Sequence, residues 1–99
     1  MARLTIIGPD GRHETDLQDH NTVGRHPNNT IQILDRIVSK EHLHIDKVEG
    51  RWVLTDLGSL NGTFINGEEI PTDKPTRFAS GDSFIIGAGT FVVDLEFEK

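Results

Sequence analysis

The sequence predicts an all-β fold, an antiparallel sandwich or barrel, and two observations support this prediction. Apolar and polar residues alternate with a period of two along most of the chain, and no stretch places apolar residues at helical spacing. Clusters of Gly, Pro, Asn, Asp and Ser interrupt the alternating segments at short intervals. Roughly ten short strands separated by such turns are typical of sandwiches and barrels.

Four segments show the alternation clearly, and each is expected to bury one face and expose the other. The last of them is the longest strand that the pattern predicts. The residues expected to face the core are, in chain order, Ile31 and Ile33, then Leu43 and Ile45, then Trp52 and Leu54, and finally Phe91, Val93, Leu95 and Phe97. The turn clusters lie at 8–11, 26–29, 49–50, 61–62, 66–67, 80–82 and 87–89.

Length and composition point to one small domain. A chain of 99 residues can bury a single core without cross-links, so we expect residues 1–99 to form one domain that is monomeric in isolation. The sequence contains no cysteine, which excludes disulfides and thiol chemistry and fits a reducing compartment. Its apolar runs are far too short to span a bilayer. We therefore expect a soluble, cytoplasmic protein.

The net charge of −6 excludes some classes of partner. Nucleic acids and anionic membranes attract proteins with a broad basic field, which this composition does not supply, so we expect neither partner. A local anion site is still compatible with the charge, provided that its cations are grouped.

Two Asn-Gly pairs stand close together in the segment SLNGTFING, and we assign them different roles. Asn66-Gly67 joins two short extended segments, which is the setting of a type I′ hairpin turn with positive φ at both residues. Asn61-Gly62 follows a longer irregular connection after the Trp52 segment. There the Asn amide is expected to be free to face a ligand, while Gly62 lets the chain turn back.

Residues suited to binding an oxyanion lie in the middle third of the chain. Arg25 follows one predicted strand, Ser39 and Lys40 precede another, and Asn61 follows a third. Loops at one end of a sandwich lie side by side even when they are distant in sequence. Arg offers a planar fork of donors, Lys a point charge, Ser a hydroxyl, and Asn an amide that can pair with a peptide backbone. This combination indicates a phosphopeptide site.

The same residues carry a family resemblance. The motifs GR at 24–25, SKEH at 39–42 and NGTFING at 61–67 resemble the signature of the forkhead-associated (FHA) domain, particularly its bacterial members. Each motif alone is weak, but the three in this order inside an all-β pattern are specific. The resemblance covers essentially the whole chain. It implies an antiparallel β-sandwich of about eleven strands that binds phosphothreonine in partner proteins or in a segment of its own full-length protein, in kinase signalling.

The resemblance also implies roles for individual residues. Arg25 corresponds to the arginine that engages the phosphate or the adjacent peptide backbone, and Ser39 to the serine that donates to a phosphate oxygen. Lys40 lies where the family often has a basic or amide residue. Asn61 corresponds to the asparagine that clamps the peptide backbone, and Leu60 stands where some members have threonine, so that only its backbone is expected to contribute.

Other residues are expected to support the site rather than to touch the ligand. His42 corresponds to a histidine that supports the loop carrying the serine. The remaining supporting residues are Gly24, Gly62, Asn66 and Gly67.

Several alternatives stay open at this point. Arg25 could form a surface ion pair with Asp35 or Glu41, Ser39 could be only a turn residue, and Lys40 could be solvated. The domain as a whole could be an interaction module that works without phosphate. The intact set of Arg25, Ser39 and Asn61 favours the phosphate-dependent module.

Metal binding and catalysis are not expected. His42 and His44 would share a strand face, but no Cys or further pair at ligand spacing completes a zinc site among the five histidines. Ser39 and His42 lack an oxyanion-hole motif, and the sequence shows neither a nucleotide-binding loop nor paired carboxylates. We therefore expect no cofactor and no enzymatic activity.

Overall fold

The computed structural model describes residues 2–8, 11–79, 82–86 and 91–97, and for residues 2 and 91–97 it describes the backbone alone. Within these ranges every regular element is a β-strand, which confirms the predicted all-β fold. The strands in chain order are β1 (Ala2–Gly8), β2 (Gly11–Leu17), β3 (His20–Gly24), β4 (Ile31–Gln32), β5 (Leu43–Val48), β6 (Arg51–Asp56), β7 (Thr63–Ile65), β8 (Glu68–Glu69), β9 (Thr76–Arg77), β10 (Ser83–Ile86) and β11 (Phe91–Phe97).

The strands form two sheets. A six-stranded sheet has the order β2-β1-β11-β10-β7-β8, and a five-stranded sheet has the order β4-β3-β5-β6-β9. Strand β1 pairs with β2 along its whole length and with β11 on its other edge.

One pair of strands departs from the expected antiparallel arrangement. Strands β3 and β4 run parallel, with Val23 opposite Ile31 and Gly24 opposite Gln32. The connecting loop folds back because Thr22 and Thr30 exchange hydrogen bonds, from the Thr22 amide to Thr30 Oγ1 at 2.6 Å and from the Thr30 amide to Thr22 Oγ1 at 2.8 Å. A side-chain pairing of this kind leaves no signal in the alternation of the sequence.

The core lies between the sheets and is built from the inward faces of the alternating segments. The six predicted core residues from Ile31 to Leu54 are all buried. Phe84 of β10 is also buried and packs edge-on against Phe78, with ring centroids 4.7 Å apart. The predicted inward face of β11, from Phe91 to Phe97, lies outside the described side chains.

The Asn66-Gly67 turn has the conformation that the sequence predicts. Both residues have positive φ, 50° for Asn66 and 87° for Gly67. They join β7 and β8, which pair through Phe64 with Glu69 and Ile65 with Glu68. The predicted hairpin is confirmed.

Backbone hydrogen bonds bring three strand ends together. The His42 amide donates to the Val23 carbonyl at 2.9 Å, and the Leu57 amide donates to the His42 carbonyl at 2.9 Å. The end of β3, the start of β5 and the end of β6 therefore lie side by side. The loops that leave them form one end of the sandwich.

The described residues include no helix of sufficient length and apolarity to cross a membrane.

Candidate functional site

Arg25 joins the loop after β3 to the loop before β5. Its amide donates to the Ser39 carbonyl at 2.9 Å, and its Nε donates to the Val38 carbonyl at 3.1 Å. The side chain is half-buried. These bonds fix the backbone and Nε of Arg25 but not its two Nη nitrogens. Within the described ranges, neither Nη nitrogen of Arg25 has a protein partner, and no carboxylate pairs with it.

The ion pairs of Arg25 with Asp35 or Glu41, considered from the sequence, are therefore not formed between these described residues. The Asp35 carboxylate instead accepts a hydrogen bond from the Ile37 amide at 2.8 Å. The outer nitrogens of Arg25 are available to an anion.

Gly24 is required by the close approach of the same two loops. A Cβ atom at this position would lie 2.2 Å from the Lys40 carbonyl oxygen and 2.8 Å from Asn29 Nδ2. Asn29 Nδ2 itself donates to the Lys40 carbonyl at 2.8 Å and to the His26 carbonyl at 2.7 Å. Asn29 is thus a supporting residue that sequence reasoning missed, since an Asn in a turn cluster signals only a turn.

Ser39 lies against the backbone of Leu60. The Leu60 amide donates to Ser39 Oγ at 3.1 Å, so the hydroxyl oxygen accepts while its own proton can be donated elsewhere. The Leu60 side chain is 90% exposed and contributes no packing here. Position 60 therefore acts through its backbone, by orienting the serine hydroxyl.

Lys40 follows Ser39 in the chain and has an exposed side chain. Its carbonyl accepts from the His26 amide at 3.2 Å, which fixes its backbone. The side chain lines an open depression together with His26, Asn28 and Glu41. Backbone bonds thus tie the segments that carry Arg25 and Lys40 together at the loop end of the sandwich.

Asn61 does not have the free amide that we expected. Its Nδ2 donates to the Ile37 carbonyl at 2.8 Å, so the side chain ties the loop after β6 to the loop before β5. The expectation was wrong because it treated the loop tip by itself, whereas its hydrogen-bond partner lies 24 residues away. Among the described atoms, Asn61 Oδ1 has no hydrogen-bond partner and can still accept from a ligand backbone.

His42 is fully buried beneath these loops. Its Nδ1 accepts from the Ser39 amide at 3.2 Å, so the neutral ring carries its proton on Nε2, which donates to the Gly62 carbonyl at 3.0 Å. Burial lowers the pKa of His42 below its ordinary value of 6.5, against the opposing effects of Gly62 and Asp56. The ring links the serine loop to the Asn61-Gly62 loop.

Asp56 organises the loop that carries Asn61. Its carboxylate accepts from the amides of Gly58 and Ser59 at 3.0 and 3.1 Å, from Ser59 Oγ at 2.6 Å and from Thr63 Oγ1 at 2.7 Å. Burial by itself would raise the pKa of Asp56, but these hydrogen bonds outweigh it and hold the pKa below 3.8. Ser59 Oγ in turn accepts from the Gly62 amide at 3.1 Å.

Sequence reasoning missed Asp56, Ser59 and Thr63. The stretch DLGS carries a usable signal, because Asp followed by Gly two residues later is typical of a turn closed by the Asp side chain. Gly62, with φ of 84°, completes the loop in a conformation that favours glycine.

The fold is a β-sandwich whose loops are joined by hydrogen bonds at one end, and comparison with known proteins identifies its family. The sequence profile of the FHA domain matches residues 21–87. The chain belongs to the FHA domain family.

Relatives of this chain differ widely in overall length. An FHA domain-containing protein of Arabidopsis thaliana is 34% identical over an alignment of 107 positions, gaps included. The alignment covers 97% of this chain and 28% of that protein. The glycogen accumulation regulator GarA of Mycolicibacterium smegmatis is 39% identical over 70 residues, which cover 71% of this chain and 42% of GarA. The chain thus spans less than half the length of these relatives.

A similar solved structure is the FhaA FHA domain, crystallised in complex with the intracellular domain of Rv3910. It superposes with a TM-score of 0.82 at 25% identity, covering 97% of this chain and 100% of that chain. The resemblance inferred from the three motifs is confirmed.

Proposed function

We propose that this domain is a phosphothreonine-dependent interaction module that docks a phosphorylated protein, or a phosphorylated segment of its own full-length protein, in kinase signalling. The observation that carries this proposal is the grouping of the Arg25 Nη nitrogens, the Ser39 hydroxyl proton and Lys40 at one end of the sandwich. Each can donate to phosphate, and none is consumed by a described protein partner. The complex formed by the FhaA FHA domain supports a docking role.

Each donor has a separate task in this proposal. Arg25 engages the phosphate, or the peptide backbone next to it, through the outer edge of its guanidinium group, and Lys40 adds a second positive charge. Ser39 donates its hydroxyl proton to a phosphate oxygen, because its oxygen already accepts from the Leu60 amide. Asn61 Oδ1 accepts from a peptide amide beside the phosphothreonine.

In this proposal the protein is a binding protein rather than an enzyme. It works in the cytoplasm as a monomer, with neither nucleic acid nor a membrane as a partner, and without a cofactor for phosphopeptide binding. Because the net charge of the chain is −6, an anion is expected to bind where cationic side chains are grouped.

The test is a calorimetric titration with a phosphothreonine peptide selected from an oriented library. We expect no measurable binding of the unphosphorylated peptide and weaker binding of the phosphoserine form. Arg25→Ala should weaken binding by about tenfold or more, because charge-assisted hydrogen bonds contribute about 1.5–3 kcal/mol and 1.4 kcal/mol is a decade.

Arg51→Ala is the matched control. Arg51 is exposed and begins β6 at the end opposite Asp56, so its loss should leave peptide affinity unchanged. Equal affinity of the phosphorylated and unphosphorylated peptides would indicate a phosphate-independent module instead.

A further inference from the structure

Three potential metal ligands meet on the five-stranded sheet, and none of them belongs to the loops described above. They are His20 at the start of β3 and His44 and Asp46 on β5. His20 lies directly opposite Asp46 in the register, and His44 lies opposite Thr22. One ligand atom from each residue lies within 4.8 Å of the other two.

The contacts among the three side chains already bring them together. His20 Nδ1 hydrogen-bonds to Asp46 Oδ1, and the rings of His20 and His44 meet edge to face with centroids 5.0 Å apart. His20 is exposed, while His44 and Asp46 are half-buried, so the group is open to solvent on one side. Since all three residues belong to paired strands, the sheet fixes their backbones relative to one another.

The residues of β6 directly opposite the group are uncharged. The residue opposite His44 on β6 is Thr55, and the residue opposite Asp46 on that strand is Val53. Neither is charged, and the chain as a whole carries a net charge of −6; two arginines share this face of the sheet, Arg51 opposite Val48 and Arg77 opposite Val53.

We propose that His20, His44 and Asp46 bind a divalent transition-metal ion of the Zn²⁺ class through three protein ligands, with at least one coordination position open. Two imidazoles and a carboxylate suit zinc and its late first-row neighbours, and three ligands with an open position are typical of non-structural zinc sites. Ligand atoms in a tetrahedral zinc site are about 3.4 Å apart, given bonds of about 2.0–2.1 Å.

His42 and His44 do not share a strand face, contrary to the expectation from the sequence. His42 precedes β5 and is buried beneath the loops, whereas His44 lies within the strand and faces His20. The partner of His44 comes from β3, which no spacing along β5 could reveal.

The test is a Zn²⁺ titration by calorimetry on tag-free protein, with two-dimensional NMR spectra recorded in parallel. We expect one Zn²⁺ per chain and amide shifts concentrated at residues 20, 44 and 46. His44→Ala and Asp46→Asn should each weaken Zn²⁺ binding at least tenfold. His13→Ala is the matched control, because His13 is an exposed strand histidine on the other sheet.

Urea melts distinguish a variant that has lost a metal-binding side chain from a variant that has unfolded. The metal-free protein and the variants should stay folded, because the three ligands lie outside the hydrophobic core. The proposal is overturned if wild-type protein binds no Zn²⁺, or if His44→Ala is folded and binds Zn²⁺ as tightly as wild type. Equal weakening by His13→Ala and His44→Ala would also overturn it, since that pattern marks nonspecific binding to surface histidines.

Discussion

Single residues at the loop end of the sandwich carry two kinds of role. Arg25 and Ser39 each use part of their hydrogen-bonding capacity within the described part of the protein and keep donors that these bonds do not use. His42, by contrast, is satisfied on both ring nitrogens by Ser39 and Gly62. A residue with spare donors can bind a ligand, and a residue with none can only hold its neighbours.

Asn61 both holds a neighbouring loop, through Nδ2, and keeps a free acceptor, Oδ1, for a ligand. This double role gives the first residue-level prediction. Asn61→Ala removes the bond to the Ile37 carbonyl and the free Oδ1 acceptor together. We expect unfolding free energy to fall by about 1 kcal/mol and phosphopeptide affinity to fall at least tenfold. A urea melt and a peptide titration on the same variant measure the two effects. Normal peptide affinity in a folded Asn61→Ala variant would remove Asn61 from the site.

The residue-level picture was only partly predictable from sequence. Arg25, Ser39 and Asn61 stand in recognisable motifs, so their grouping could be expected. The bond from Asn61 to Ile37 and the contact of His20 with Asp46 could not, because each joins residues more than twenty positions apart. The first contact depends on how two loops pack and the second on strand register, and alternation alone specifies neither.

At the scale of elements, the two Asn-Gly turns show how one dipeptide serves two structures. Asn66-Gly67 closes a two-residue hairpin, and its positive φ values follow from the twist of the paired strands. Asn61-Gly62 ends a loop whose shape comes from the Asp56 carboxylate instead. Local pattern predicts the first turn fully, while the second depends on a buried hydrogen-bond network.

The hairpin gives the element-level prediction. Gly67 has open space around its Cβ position, so a substitution there meets no atoms and is opposed only by the φ of 87°. Gly67→Val should therefore cost about 1–3 kcal/mol of unfolding free energy, since a β-branched residue tolerates positive φ poorly.

Gly67→Asn is the control, because Asn adopts the left-handed region readily and should cost much less. Urea melts of the two variants measure the difference. Equal destabilisation by Val and Asn would mean that side-chain bulk, rather than backbone conformation, decides stability at this position.

At the scale of the whole molecule, the buried pair of His42 and Asp56 makes stability depend on pH. The pKa of His42 lies below 6.5 in the folded protein, so the unfolded chain binds the proton first and stability falls as pH drops below about 6.5. The pKa of Asp56 lies below 3.8, so its contribution is complete above that pH and is lost as pH falls further. Protonation also removes the Nδ1 acceptor of the Ser39 amide, and peptide binding should weaken with it.

Two measurements check the pH dependence. Urea melts between pH 8 and pH 5, in buffer with a chelator to exclude metal at His44, should show stability declining on the acid side. An NMR titration of the His42 ring gives its pKa directly. A ring that titrates at or above 6.5 would contradict the prediction.

The order of strands in the larger sheet has a consequence for synthesis on the ribosome. The five-stranded sheet uses residues 20–77 alone, so all of its strands are present before β10 is made. Strand β1, however, pairs with β11, more than eighty residues later. At about 5–20 residues per second, one edge of β1 waits roughly 4–17 s for its partner. During translation the β1–β2 hairpin is therefore the part of the nascent chain most in need of protection from pairing with other chains.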